Sequence, residues 1–156
     1  MTVKKKILIV EDNPDCRELL ACYLRHMGYE PTEARNGHEA IRLAVATHPH
    51  LIFVDIGLPD MNGVELTELL QQDFETSEIP VVVFTAWSPN VWKEKARKAG
   101  AAEYILKPAS AEVIRKVIED FARPPSTLSR AVYYKSGKHI DAMLPIPLSH
   151  SPFKKL

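Results

Sequence analysis

The chain has 156 residues, enough for one domain with an extension or one large domain, and enough to bury a full core. Apolar and charged contents of 46% and 26% are those of an ordinary soluble globular protein, and zero formal net charge argues against a general nucleic-acid binder. That zero conceals an asymmetry: residues 124–156 hold five cations (Arg130, Lys135, Lys138, Lys154 and Lys155) against Asp141 alone, a net of +4 that leaves −4 for the rest.

In chain order, the first strand is the apolar run Lys6–Val10. Asn13-Pro14 reads as a helix start, with Asn as cap and Pro in the first helical position. Leu19, Leu20, Tyr23, Leu24 and Met27 give this helix an apolar stripe, and Gly28 ends it. Residues 29–34 make a weaker second strand. Asn36 caps a second helix with Glu39 in box-like spacing, and Ala40, Ile41, Leu43 and Ala44 continue it. The third strand is 51–55, the loop 56–62 follows, and a third helix occupies 64–72. The fourth strand is 80–84; Ser88-Pro89 starts a fourth helix that stops at Gly100. The fifth strand is Glu103–Leu106, and Ser110 caps a fifth helix running through Phe121.

Five strand–helix units in succession predict an α/β fold, a doubly wound parallel sheet with helices on both faces. The nearly unbroken apolar third and fourth strands fit strands buried on both sides. The domain is expected to span residues 1–123. Pro124-Pro125 then stops the fifth helix, and a basic, Pro-rich, partly ordered tail is expected over 124–156. Within it, 131–134 and 139–144 have the makings of a short hairpin about a turn at 135–138.

Cys16 and Cys22 sit six residues apart on one predicted helix, about 9 Å apart along its axis and facing about 120° away from each other. They cannot bridge each other, no metal spacing is present, and they read as thiols in a reducing cytosol. The apolar run after Lys4–Lys6 is short and meets Glu11-Asp12, so it is neither a signal peptide nor a membrane span. His26, His38, His48, His50, His139 and His150 form no metal or triad pattern and read as surface or capping residues.

The chemistry lies at the strand ends. Glu11 and Asp12 follow the first strand, Asp55 closes the third, Thr85 follows the fourth and Lys107 follows the fifth. Parallel strands bring all five to one carboxyl edge, where open α/β sheets bind ligands. Asp12, Asp55 and a backbone carbonyl after Asp55 are suitable ligands for hard Mg²⁺, with Glu11 acting directly or through water. Asp55 is then a carboxylate nucleophile for phosphorus, Lys107 offsets charge on the equatorial oxygens, and Thr85 donates a hydrogen bond. Each residue alone is ordinary; the case rests on five in the right order.

On these residues the chain resembles the receiver domain of two-component response regulators. Val10-Glu11-Asp12-Asn13 matches that family's acidic pair, and Asp55-Ile56-Gly57-Leu58-Pro59-Asp60-Met61-Asn62-Gly63 its phosphoacceptor loop. Thr85-Ala86 matches its switch hydroxyl and small neighbour, and Tyr104 with Lys107-Pro108 its switch aromatic and Lys-Pro pair. The match covers roughly residues 4–122. It implies the flavodoxin-like strand order 2-1-3-4-5, a cis Lys107–Pro108 bond, and phosphorylation of Asp55 by the phosphohistidine of a sensor histidine kinase or a phosphotransfer protein. It also implies a Mg²⁺ site at Glu11, Asp12, Asp55 and the Gly57 carbonyl. Thr85 and Tyr104 would be the switch pair, with output to an unidentified downstream protein, or a second copy, through the fourth helix, fifth strand and fifth helix. The expected setting is the cytoplasm, without direct contact to nucleic acid or membrane.

Two positions depart from the family pattern. Gly57 has no side chain, which leaves room on its side of the pocket, and Trp87 is bulky for a pocket rim. Two further readings stay open: a pseudo-receiver that binds partners without phosphorylation, and a receiver cut from a longer hybrid kinase or effector protein. Intact Glu11, Asp12, Asp55, Thr85 and Lys107 argue against the first. An aspartyl phosphatase is disfavoured because Asp55 lacks the DxD pattern.

Overall fold

The computed structural model describes residues 3–122; the expected tail and its hairpin lie outside these residues. The elements run β1 (Lys6–Val10), α1 (Pro14–His26), β2 (Glu30–Ala34), α2 (Gly37–Thr47), β3 (Leu51–Val54), α3 (Gly63–Gln72), β4 (Val81–Thr85), α4 (Pro89–Ala99), β5 (Glu103–Leu106) and α5 (Ala111–Phe121). The strands form one sheet in the order β2-β1-β3-β4-β5, and every pairing is parallel. The fold class is as the sequence predicts, and the strand order is the one that the receiver-domain resemblance implies.

Alternation along the strands builds the two halves of the core. Ile7 and Ile9 of β1, with Leu51 and Phe53 of β3, face α1 and α5, where Leu20, Leu24, Ile114 and Ile118 cover them. Leu8, Val10, Ile52 and Val54 face the other way, onto Ala40 and Ala44 of α2 and Leu66 and Leu70 of α3. Val83 and Ile56 meet Ala96 of α4. All four residues of β3 are buried, as its position inside the sheet requires.

Four helix starts follow the sequence closely. The side chains of Asn13, Asn36, Ser88 and Ser110 accept hydrogen bonds from first-turn amides of α1, α2, α4 and α5. Asn62 does the same for α3, so that helix begins at Gly63 rather than Val64. The second strand begins one residue late, because the Tyr29 amide donates to the Leu24 carbonyl at the end of α1. Asp55 lies one residue past β3 instead of closing it, whereas Thr85 is the last residue of β4. His48 caps α2 in the left-handed region at φ 46°, and the His50 ring nitrogen Nδ1 accepts from the Lys6 amide.

The loop after β3 is fixed at both ends. At one end, Asp60 accepts from the amides of Gly37 and His38 at 2.8 and 2.9 Å, and pairs with the His38 ring. This places a carboxylate on the positive end of α2. At the other end, the Gly63 amide donates to Ile56 O, and the backbone of Asp55–Ile56 lies directly against the Gly63 Cα. A methyl at Gly63 would overlap the Asp55 carbonyl and sit 2.7 Å from Ile56 Cα.

Gly63→Ala is therefore expected to destabilise the domain by about 2 kcal/mol or more, since backbone cannot give way as a side chain can. At Gly37 the nearest atoms to an added methyl belong to the flexible Met61 side chain, so Gly37→Ala should cost less. Urea denaturation of both variants measures the difference, and equal losses would contradict it.

Partial burial pushes the Asp60 carboxyl up, but the bonds from the Gly37 and His38 amides and the His38 ring outweigh it and lower its pKa from 3.8 to about 2. A depressed folded pKa stabilises above the unfolded value and loses that contribution as the pH falls through the folded one. The Asp60 contribution should be intact above about pH 4 and fade towards pH 2. Denaturant titrations over that window should show a shallower acid decline in Asp60→Asn than in the wild type, and parallel declines would refute the assignment.

Candidate functional site

Strand order sets the location. The chain leaves β1 towards β2 on one side and returns to β3 on the other, which opens a crevice beyond the carboxyl ends of β1 and β3. Glu11 and Asp12 emerge from β1 and Asp55 from β3, next to each other because β1 and β3 pair. One carboxylate oxygen from each lies within 4.8 Å of the others. Glu11 is buried, Asp55 half-buried and Asp12 exposed.

Lys107 reaches into this acidic cluster from the end of β5. Its ammonium pairs with Glu11 Oε1 and lies 3.7 Å from Asp55 Oδ2. The Phe84 ring, 5.4 Å from Nζ, packs beside it. The Lys107–Pro108 bond is cis, as expected. The other Glu11 oxygen accepts from the Asn13 amide. Burial would depress the Lys107 pKa, but its bond to Glu11 and the charge of Asp55 raise it overall, so the ammonium form is secure. The Glu11 carboxyl is raised as well: burial and the charge of Asp55 outweigh its bond to Lys107. Two carboxylates sharing one lysine still carry excess negative charge.

Asp55 Oδ1 is buried and accepts no hydrogen bond. An orphaned carboxylate oxygen beside two more carboxylates is a donor set suited to a hard divalent cation, and Mg²⁺ fits it.

Around the crevice, Thr85 is fully buried and its Oγ1 accepts from the Trp87 amide at 3.3 Å. Tyr104 donates its hydroxyl to Trp87 O at 2.7 Å, while its ring packs on the cluster of Ile56, Val83, Ala96 and Ala101. Burial, and then the charge of Asp55, raises the pKa of that phenol. The sequence reading treats Gly57 and Trp87 as separate departures; the structure brings them into contact. A methyl at Gly57 would lie 3.3–3.5 Å from the Trp87 ring, so the indole edge bounds the room left by Gly57. Trp87 also packs edge-on against Trp92 of α4, ring centroids 4.9 Å apart.

Each of the residues singled out in sequence (Glu11, Asp12, Asp55, Gly57, Thr85, Tyr104 and Lys107) is at or beside this crevice. Two contributors escape the sequence reading. Asp60 anchors the loop that carries Asp55 and Gly57. Arg17 donates to the carbonyls of Glu11 and Asp12 at 2.9 and 3.4 Å. A cation in the first turns of a helix runs against the helix dipole, and that was the available signal for Arg17.

An open parallel sheet with an acidic crevice at its switch point and a lysine across it defines a class of cation-assisted α/β site. The Response regulator receiver domain model matches residues 7–119, and the chain belongs to that family of two-component signalling domains. Among its relatives is the polar-differentiation response regulator DivK of Brucella ovis, 38% identical over 117 residues, covering 75% of this chain and 95% of that protein. Histidine kinase P4 of Formosa agariphila is 36% identical over 137 residues, 88% of this chain but 10% of that much longer protein. The solved receiver domain of a sensor histidine kinase from Pseudomonas aeruginosa, with a magnesium ion coordinated in its active-site cleft, superposes with a TM-score of 0.72. It is 26% identical, and the match covers 77% of this chain and 98% of that one. Among the described residues no helix is long and apolar enough to cross a membrane.

Proposed function

We propose that the chain is a phosphoacceptor switch that takes a phosphoryl group from a sensor histidine kinase, or from a phosphotransfer protein, onto Asp55. The observation that carries this is the convergence of Glu11, Asp12 and Asp55 oxygens within 4.8 Å, with Lys107 3.7 Å from Asp55. Mg²⁺ would be held by Glu11, Asp12, Asp55 and the Gly57 carbonyl; when bound, it supplies charge neutralisation for the transferring group.

An Asp55 carboxylate oxygen attacks phosphorus, the new O–P bond forms, and the P–N bond to the donor imidazole breaks with its electron pair returning to the ring. Lys107 offsets charge on the equatorial oxygens, and Thr85 turns its hydroxyl to donate to one of them. That rotation competes with the bond Thr85 now accepts from the Trp87 amide. Because Tyr104 is tied to the same residue through Trp87 O, the event reaches β5 and α4. Output through the α4–β5–α5 face to a downstream protein or a second copy follows. It is a signalling phosphoprotein that assists its own chemistry, placed in the cytoplasm.

The domain is assigned to 1–123. The basic segment 124–156 is assigned to partner contact or self-association and is not needed for phosphorylation. The receiver could equally serve within a longer hybrid kinase or effector protein.

Asp55→Asn keeps the shape and removes the nucleophile, so Mg²⁺-dependent labelling by acetyl phosphate should fall to background. Labelling of that variant at the wild-type level would overturn the assignment, and an unlabelled wild type would favour the pseudo-receiver reading. A chain ending at Arg123 should label as the full chain does; failure to fold would put the tail in the core.

Hydrolysis of the acyl phosphate needs water in line with the departing carboxylate oxygen. The indole of Trp87 lies against Gly57, and in this reading it covers that approach. Dephosphorylation should be slow, and Trp87→Ala or Trp87→Glu should shorten the phosphoryl half-life by about tenfold, the effect of lowering a barrier by ~1.4 kcal/mol. Equal half-lives would leave Trp87 a packing role on Trp92 only.

A further inference from the structure

Arg17 holds a place that its own helix disfavours. It lies in the first turns of α1, where the helix dipole is positive and a second positive charge is repelled. Its side chain is nevertheless enclosed, only 15% exposed, and it turns back off the helix. One guanidinium nitrogen, Nη1, donates to Glu11 O at 2.9 Å and Asp12 O at 3.4 Å. The Nε side faces Glu33 of β2, with Oε1 at 3.3 Å. Arg25, one residue from the end of α1, approaches the other oxygen of Glu33 at 3.8 Å.

We propose that Arg17 is a positioning residue for the metal-binding acidic pair, clamping the main chain of Glu11 and Asp12 with Glu33 as its anchor. This rests on the proposed reading of the site.

The physical need is clear from the charges. Glu11, Asp12 and Asp55 repel one another, and Lys107 contacts only Glu11 and Asp55. Asp12 is exposed, and repulsion favours swinging it out of the cluster. Holding the carbonyls of both acids fixes the backbone from which the side chains converge. The fork geometry of a guanidinium allows it to bind carbonyls while a carboxylate aligns its far edge, which an ammonium cannot do. The Glu11 amide already donates to Ala34 O at 3.0 Å and ties the same turn to β2, so β2 supports the loop twice.

Two models predict opposite signs. If Arg17 acted only as a nearby positive charge, removing it would tighten Mg²⁺ binding. If it positions the acids, removing it loosens the site, by about tenfold in affinity, as for groups that orient metal ligands.

Calorimetric titration of Mg²⁺ into the full chain and its Arg17→Gln, Arg17→Lys and Glu33→Gln variants separates these models. Arg17→Gln should bind about tenfold more weakly, Arg17→Lys should recover only part of the loss, and Glu33→Gln should fall between wild type and Arg17→Gln. Amide hydrogen exchange of Asp12 and Asn13 in the metal-free proteins should rise in the same order. Should Arg17→Gln fail to fold, Arg17→Lys carries the test, since it keeps the positive charge and loses the guanidinium fork: a charge-only role predicts unchanged binding, the clamp weaker binding. Unchanged or tighter Mg²⁺ binding in a folded variant overturns the clamp while leaving the proposed function intact. A wild type that binds no Mg²⁺ overturns both.

Discussion

The ion pair between Lys107 and Glu11 is the contact on which the arrangement of the crevice depends. Strand order forces three carboxylates into one crevice, and charges of like sign at that spacing separate unless a cation is held among them. Lys107 is such a cation. Its own side chain is 19% exposed and that of Glu11 6%, so neither charge is fully solvated if the other leaves. Breaking such a pair by removing one partner costs about 3–5 kcal/mol. The lysine therefore has a structural duty separate from its proposed part in phosphoryl chemistry.

That duty explains an otherwise odd pair of shifts. A carboxylate next to an ammonium normally falls in pKa, yet Glu11 rises along with Lys107. Burial, and then the charge of Asp55, prevails at Glu11; by simple count, three carboxylates face one ammonium. A divalent cation would meet this need, and with it bound Lys107 would be free to turn from Glu11 towards the oxygens of a phosphoryl group. In this proposed sequence the same electrostatic shortage both recruits the metal and releases the lysine.

Much of this was legible in the sequence because it is local. Asn13, Asn36, Ser88 and Ser110 each bond amides within three residues, and Gly100 ends α4 with φ +106°, so helix limits follow from neighbours along the chain. Strand ends then supply the site, since alternating βα units leave little choice of edge. The missed features are non-local. Asp60 meets residues 22 and 23 positions away, and Arg17 finds Glu33 on a neighbouring strand. Period and propensity carry no record of such partners. In Arg17 the sequence did hold a trace: a local electrostatic conflict that only a tertiary contact resolves.

Gly57 and Trp87 show how two apparent irregularities become one feature. Taken singly, a glycine enlarges the pocket and a tryptophan crowds it, and their effects oppose. In space the indole edge borders the position that a Gly57 side chain would take, and it packs on Trp92, over whose ring Lys95 sits at 4.7 Å. A side chain at Gly57 would press on Trp87, whose amide and carbonyl bond Thr85 and Tyr104. The loop after β3, the two proposed switch residues and α4 are thus joined through a single tryptophan. A small displacement at the loop therefore has a route of direct contacts through Trp87 and Trp92 to α4.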